Sequence, residues 1–198
     1  MSLANGEPTR KPCEAEAELL RRAQRGDREA FAGLVEHYWD RLYRWLYHLT
    51  HNQHTAEDLV QETFLKAFAH LATFRRGSNF QAWLFRIAYN TFLNQRRTAT
   101  RMTRQPFPET LPADDDSPDE LAISREALQT LARAIGRLPS EFRAALLLRI
   151  EQGLSFREIA DILTTTEQTA RWRVYKARQK LLTVLPPEVD LEKRIKKP

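Results

Sequence analysis

Apolar positions along this chain recur at intervals of three and four, the period of helices, and nowhere settle into the strict alternation of a half-buried strand. The clearest stretch is Ala56–Leu71, AEDLVQETFLKAFAHL. Leu59, Val60, Phe64, Ala67, Phe68 and Leu71 make one stripe suited to a core. Glu57, Asp58, Gln61, Glu62, Leu65 and Lys66 stand opposite, a mixed acidic and amide surface of the kind that docks on another protein. Thr55 is the expected cap, with Asp58 reaching back to complete a capping box. Burial of each large stripe residue contributes roughly 1.5–3 kcal/mol before entropy is charged, so the helix should be rigid and hold its outer face in fixed geometry.

The same pattern organises the rest of the chain. Met1–Glu14 lacks periodicity and reads as disordered. A helix begins at Ala15, breaks at Gly26-Asp27 and restarts, after which Phe31, Leu34, Val35, Tyr38, Leu42, Trp45, Leu46 and Leu49 extend one stripe to about Thr50. His51–His54 is the expected turn. A polar loop, Thr73–Asn79, precedes a helix from about Phe80 to Arg97. Its expected core side is Phe80, Trp83, Leu84, Ile87 and Thr91, with Phe85, Tyr89, Phe92 and Arg96 on the other side.

Residues 98–117 hold three prolines and a triple aspartate and read as a flexible linker. Ser117-Pro118-Asp119-Glu120 then opens a helix that reaches Pro139, followed by another over Ser140–Glu151. Ser155-Phe156-Arg157-Glu158 is a capping box at the head of a short helix. Thr166 caps the last helix, Glu167 to about Leu182. The expected fold is therefore all-α: two small helical domains, 15–97 and 118–185, joined by the linker and followed by a tail over 186–198.

Composition changes this picture through charge placement. The 198 residues carry 31 basic and 26 acidic side chains, a net charge of +5. Arg86–Arg104 contains five arginines and no acid, and Arg171–Lys180 contains five basic residues and no acid, whereas Asp114–Glu120 is acidic. Such segregation favours a polyanionic partner, nucleic acid first and an anionic membrane second. The single cysteine, Cys13, excludes an intrachain disulfide and suits a reducing cytoplasm. With no apolar run near the ~20 residues of a membrane span and no signal-peptide core, a cytoplasmic protein is expected.

Two constellations carry candidate chemistry. In the first, Phe85, Tyr89, Phe92 and Arg96, flanked by Arg86, Leu93 and Arg97, interleave rings with guanidinium groups. Unpaired bases stack on rings while their backbone meets positive charge, at about 1–3 kcal/mol per base; packing of these aromatics on the first long helix is the alternative. In the second, two helices joined by Thr164-Thr165-Thr166, the second one basic, make a helix-turn-helix. Its inner face is Ala170, Val174, Ala177 and Leu181. Gln168, Trp172, Tyr175, Lys176 and Gln179 point outward to base edges, with Arg171, Arg173, Arg178 and Lys180 at the flanks for phosphates. His48, His51, His54 and Glu57 are a poor metal set, because Asn52-Gln53 and a Thr55 cap break the helix that would have to align them.

The runs Glu57–Lys66 and Phe74–Asn90, FRRGSNFQAWLFRIAYN, resemble the second conserved region of the extracytoplasmic-function (ECF) sigma factors, group 4 of the sigma-70 family. Leu138-Pro139, LSFREIADIL and Arg171–Arg178 resemble the fourth conserved region, with Thr164 and Gln168 where glycines are common and a bulky Trp172 where a small residue is usual. The resemblance implies a dissociable initiation subunit that binds core RNA polymerase through its beta-prime clamp helices and beta flap. It places Asp58, Gln61, Glu62 and Leu65 on the polymerase, and Arg75, Asn79, Phe80, Tyr89, Asn90, Arg96 and Arg97 on flipped bases of the minus-ten element. It places Gln168, Arg171, Trp172, Arg173, Tyr175, Lys176 and Arg178 on the minus-thirty-five duplex, and it suggests an anti-sigma factor as inhibitory partner.

Two rival classes make different demands. A stand-alone helix-turn-helix regulator needs an N-terminal ligand pocket or dimer seam, where this sequence offers a double-faced helix and an arginine-aromatic surface. An enzyme needs a constellation the sequence lacks: no Gly-rich phosphate loop, nucleophile motif or metal set is present, and no cofactor is implied.

Overall fold

The computed structural model describes residues 14–75, 77–103 and 130–183, all helices and connecting turns, with no strand among them. Most of the expected linker (104–117), the acidic stretch, Cys13, the start of the helix at Ser117 and the tail lie outside the described residues.

The N-terminal unit is built on α2, Arg28–Thr50. α1, Glu14–Ala23, lies against it through Leu20 and Ala23. Asp27 caps α2 as expected, its carboxylate accepting from the Ala30 amide at 3.1 Å. Leu34, Tyr38, Leu42, Trp45, Leu46 and Leu49 are all buried along one side of α2, so the sequence stripe is the core face. The helix ends at His51, whose left-handed backbone (φ 53°) turns the chain sharply while its amide donates to the Tyr47 carbonyl at 2.8 Å.

The central helix, α3, spans Gln53–His70. Its cap is Asn52, which accepts from the Thr55 amide at 2.9 Å, so the helix starts three residues before Ala56 and the Thr55–Asp58 box does not form. Asparagine after a left-handed residue reaches the free amides sooner than Thr55 could. The expected stripe is buried except for Phe68, which is 44% exposed. A 3-10 turn, Leu71–Thr73, closes α3; the Gln24 amide donates to the carbonyls of Leu71 and Phe74, satisfying groups the helix end leaves open.

α4 covers Phe80–Thr103 and runs past Arg97, where the linker was expected to begin. The larger departure is its polarity: Phe85, Ala88, Tyr89 and Phe92 are as buried as Phe80 and Leu84. Phe85 lies 5.2 Å from the Trp45 ring and is fully enclosed. Helices on both sides therefore cover α4, and its second aromatic row packs on α2.

The C-terminal unit comprises a helical segment over 130–136, α5 (Ser140–Ile150), α6 (Phe156–Ile162) and α7 (Glu167–Leu182). Leu146, Leu147, Leu148, Leu154, Ile159, Ile162, Ala170, Val174, Ala177 and Leu181 form its aliphatic core. The Ser155–Glu158 capping box and the Thr166 cap are both present. In the turn between α6 and α7, Thr164 has φ 51°, the left-handed conformation that glycine adopts freely. The two units pack directly on one another through α2, α4, α5 and α6.

Candidate docking and nucleic-acid interfaces

Asp58, Gln61, Glu62 and Leu65 are all exposed on the outer face of α3, and Leu65 stands 71% exposed although it is apolar. They hold this position because Leu59, Val60, Thr63, Phe64 and Ala67 on the opposite face are fixed in the core. Lys66 folds over the same face, pairing with Glu62 at 2.6 Å and donating to Thr91 on α4 at 3.1 Å. Beside these residues an open groove of about 450 Å³ is lined by Arg28, Phe31, Gln61, Phe64, Leu65 and Phe68. Phe68 lies 4.9 Å from Phe31, so the groove floor is aromatic and one guanidinium stands in its wall.

The expected minus-ten residues divide. Arg75, Asn90, Arg96 and Arg97 are exposed. Asn79 caps α4 by accepting from the Ala82 amide at 3.2 Å, and its amide donates to Glu158 of α6 at 2.6 Å. Phe80 is not on the surface: it is 2% exposed and sits 5.4–5.5 Å from the rings of Phe74, Tyr38 and Trp83. Tyr89 is 6% exposed, between Trp45 and Phe92 on its own unit and close to Glu141 and Arg173 of the other. Burial pushes its phenol pKa up, with Glu141 adding to the effect. Neither ring can stack on a base in this arrangement, because the space beside each is filled by protein.

α7, the second helix of the helix-turn-helix, matches the expected exposure more closely. Gln168, Arg171, Trp172, Tyr175 and Lys176 are exposed, and Arg178 is half-buried. Trp172 leans on Phe142 at 5.4 Å, and the Arg171 guanidinium lies 4.5 Å over Phe156 while pairing with Glu167 at 2.7 Å. Arg173 is the exception among the flanking cations: its side chain is largely enclosed and bonds Glu141 at 2.6 Å.

Three residues that the sequence reading passed over, Gln81, Gln152 and Arg143, and one that it assigned to DNA, Arg96, tie the two units together. Gln81 on α4 donates to the Gln152 side chain at 3.1 Å and to its carbonyl at 3.3 Å, with both residues about 5% exposed. Arg96 donates to the Ser140 hydroxyl at 2.9 Å. Arg143, 3% exposed, donates to the Gly136 and Leu138 carbonyls at 2.6 and 2.7 Å within its own unit. Across the junction it donates to the His48 carbonyl at 2.6 Å and to Nε2 of His51. Burial and Arg143 together push His51 down to about 4, and the same causes, with Arg44, lower His48. A signal for Arg143 was present: it lies at three and four residues from Leu146 and Leu147, on the core side of FRAALLLRI. Gln81 and Gln152 gave none.

His48 and His51 thus face Arg143 and Glu151. Among the described residues no cluster of three or more His, Cys, Asp or Glu side chains is placed to hold a metal, and no helix is long and apolar enough to cross a membrane.

Residues 34–102 match the family model of sigma-70 region 2, and residues 128–181 that of sigma-70 region 4. The RNA polymerase sigma-H factor of Pseudomonas aeruginosa is 33% identical over 187 residues, covering 88% of this chain and 95% of that one. The chain belongs to the extracytoplasmic-function sigma factors. The ECF sigma factor SigE of Mycolicibacterium smegmatis is 39% identical over 151 residues, 75% of this chain, which spans 58% of that relative's length.

Among solved structures, the sigma factor RpoE of Bartonella quintana in complex with the anti-sigma factor NepR matches with a TM-score of 0.68. The identity is 30%, and the match covers 80% of this chain and 98% of that one. CnrH in complex with the cytosolic domain of CnrY gives a TM-score of 0.64 at 25% identity, over 86% and 96% of the two chains. The order and spacing of the two matched regions make this protein a sigma factor that directs RNA polymerase to promoters.

Proposed function

We propose that the sigma factor distributes its work over three surfaces. The outer face of α3, through Asp58, Gln61, Glu62 and Leu65, docks on the beta-prime clamp helices of core polymerase, and the C-terminal unit meets the beta flap. The start of α4 and its loop, through Arg75, Asn79, Asn90, Arg96 and Arg97, capture bases of the melted minus-ten strand. Phe80 supports this surface from below, and Tyr89 joins it only when the C-terminal unit moves away. Gln168, Arg171, Trp172, Tyr175, Lys176 and Arg178 read the minus-thirty-five duplex from α7, and Arg173 joins them once free of Glu141. Flanking cations reach phosphates and outer side chains reach base edges.

The observation that carries this reading is the exposure of all four polymerase candidates on a helix whose other face, Phe68 apart, is enclosed. Such a helix keeps its surface geometry when the surface is mutated. Asp58→Arg with Gln61→Ala is therefore expected to leave thermal unfolding within about 0.5 kcal/mol of wild type. The same variant should weaken association with purified core polymerase at least tenfold, measured by fluorescence anisotropy of labelled sigma. Unchanged association would refute the docking assignment.

The groove formed by Phe31, Phe64, Leu65 and Phe68 supports a second partner, an amphipathic helix of an anti-sigma factor. Gln61 and Leu65 line both sites, so that partner and core polymerase would compete. Leu65→Glu is expected to lower binding of both in the same titration.

A further inference from the structure

By the helical period Trp172 stands opposite Ala170, Val174, Ala177 and Leu181, all buried, so it is among the side chains of α7 that project furthest from the C-terminal unit. Half of this large apolar residue is in water. Its ring is nevertheless held in place: it rests on Phe142 of α5 at 5.4 Å with the planes tilted by 55°, and the Lys180 ammonium covers the Phe142 ring at 5.7 Å. The neighbours on the same face are held too. Arg171 pairs with Glu167 and lies over Phe156, and the Tyr175 hydroxyl accepts from the Gln179 amide at 2.9 Å. All of these contacts are internal to the C-terminal unit, so the outer face of α7 keeps its arrangement wherever that unit sits.

What a fixed apolar ring can recognise in duplex DNA is narrowly limited. In the major groove every base pair presents hydrogen-bonding groups, and the one apolar group on offer is the 5-methyl of thymine. Arg171 and Lys176 beside the ring supply donors for base acceptors and phosphates; the face of the indole supplies none and can only bury carbon. We infer that Trp172 is a specificity-determining residue for a 5-methylpyrimidine: its ring, resting on Phe142, covers the methyl group of one thymine in the duplex that α7 reads. This inference deepens, and rests on, the assignment of α7 to the minus-thirty-five element. The preference follows the methyl group and not the base pair, so 5-methylcytosine gains over cytosine as thymine gains over deoxyuracil.

The test uses holoenzyme assembled from core polymerase and the full chain, which selects duplexes from a randomised library with wild-type sigma and with Trp172→Ala. Wild type should enrich a thymine at a position where the variant shows no preference. At that position, thymine→deoxyuracil should weaken wild-type binding about fourfold, the worth of one buried methyl carbon, and cytosine→5-methylcytosine should strengthen it by about as much. Both effects should disappear in Trp172→Ala and survive in Trp172→Phe, which keeps an apolar ring, while helical circular dichroism stays the same in all three.

Methyl effects of full size in Trp172→Ala, or none in wild type, overturn the inference. So does a Trp172-dependent preference that responds only to 7-deazaguanine in place of guanine, because the indole N–H is then reading a purine acceptor. Arg171→Ala separates this failure from that of the assignment beneath it. If Arg171→Ala changes the enriched sequence and the methyl effects are missing, the thymine contact alone is wrong. If neither Arg171→Ala nor Trp172→Ala changes the enriched sequence, α7 is not the reader and the minus-thirty-five assignment fails with it.

Discussion

Aromatic residues have opposite meanings in the two units of this sigma factor. In the N-terminal unit Trp45, Phe80, Phe85, Tyr89 and Phe92 are the core, and cations only border it, as where Arg96 lies 5.8 Å over Phe92. In the C-terminal unit the core is aliphatic, and the rings sit at the surface under cations. Trp172 and Tyr175 are 50% and 56% exposed, and Phe156 lies between Arg149 and Arg171 at 4.7 and 4.5 Å. The difference lies in what else each helix offers. α7 already has Ala170, Val174, Ala177 and Leu181 for its inner face, which frees its rings to point outward. α4 is overlaid on both sides, and its rings supply most of the volume available to fill that space.

The most forceful way to break this comparison is to truncate one ring from each unit. Phe85→Ala removes a fully enclosed ring against Trp45 and should cost about 3–5 kcal/mol in urea unfolding. Trp172→Ala should change stability by about 0.5 kcal/mol or less, since half of the ring is already in water. Its effect should appear instead in binding of duplex DNA with the minus-thirty-five element. Equal losses of stability for the two would mean that Trp172 is a core residue that happens to touch solvent.

This comparison also accounts for what the sequence made legible. Period and caps were enough for α2, α6 and α7, where one stripe is apolar and the opposite one charged, and Asp27, Ser155 and Thr166 stand at their heads. α4 was misjudged because arginines between aromatic rings look alike on a base-binding face and on a helix enclosed on both sides; periodicity cannot count neighbours. Phe85, Tyr89 and Phe92 were misplaced for that reason, whereas Phe80 lies in the core where the period put it. The start of α3 was misjudged because Asn52 and Thr55 are both good caps, and only the left-handed backbone at His51 selects the first. The exposed outer face of α3 was legible because charge and amide groups oppose an unbroken apolar stripe. The bonds of Gln81, Gln152 and Arg143 across the junction depend on long-range packing that no local pattern encodes.

A smaller effect is expected where the chain takes a left-handed turn without glycine. His51 and Thr164 both have φ near 50°, but they differ in what the side chain does. The His51 ring accepts from Arg143, which gives a reason for an imidazole there. Thr164 is exposed, and a β-branched residue in this conformation is strained by about 1–2 kcal/mol. Thr164→Gly should therefore stabilise the C-terminal unit, by about 1 kcal/mol after the extra freedom glycine gains on unfolding is subtracted. The same change at His51 should not help, because it removes a partner of Arg143. Differential scanning calorimetry of the two variants reads this directly, and a gain for His51→Gly would show that its bond to Arg143 contributes little.

The smallest effect should come from pH at the junction of the two units. With the two units closed on one another, Nε2 of His51 accepts a hydrogen bond from Arg143, which requires a neutral ring. Burial and the Arg143 charge hold the folded value at about 4, while a ring facing water returns to about 6.5 once the units part. A depressed value stabilises closure above about 6.5, and that contribution is lost progressively as pH falls from there toward 4. His48, lowered by the same neighbours and by Arg44, acts in the same direction. Glu151 opposes them, since burial raises its carboxyl and protonation there favours closure over a range that starts at the free value of 4.5 and extends upward into the same window, which leaves two imidazoles against one carboxyl. Acidification from pH 7 to 5.5 should therefore loosen the packing of the two units and expand the small-angle scattering profile of wild type. His51→Asn, a residue that tolerates the left-handed turn, should flatten the response. A response of full size in His51→Asn would assign the titration to His48 and show that Arg143 holds the junction through the His48 carbonyl alone.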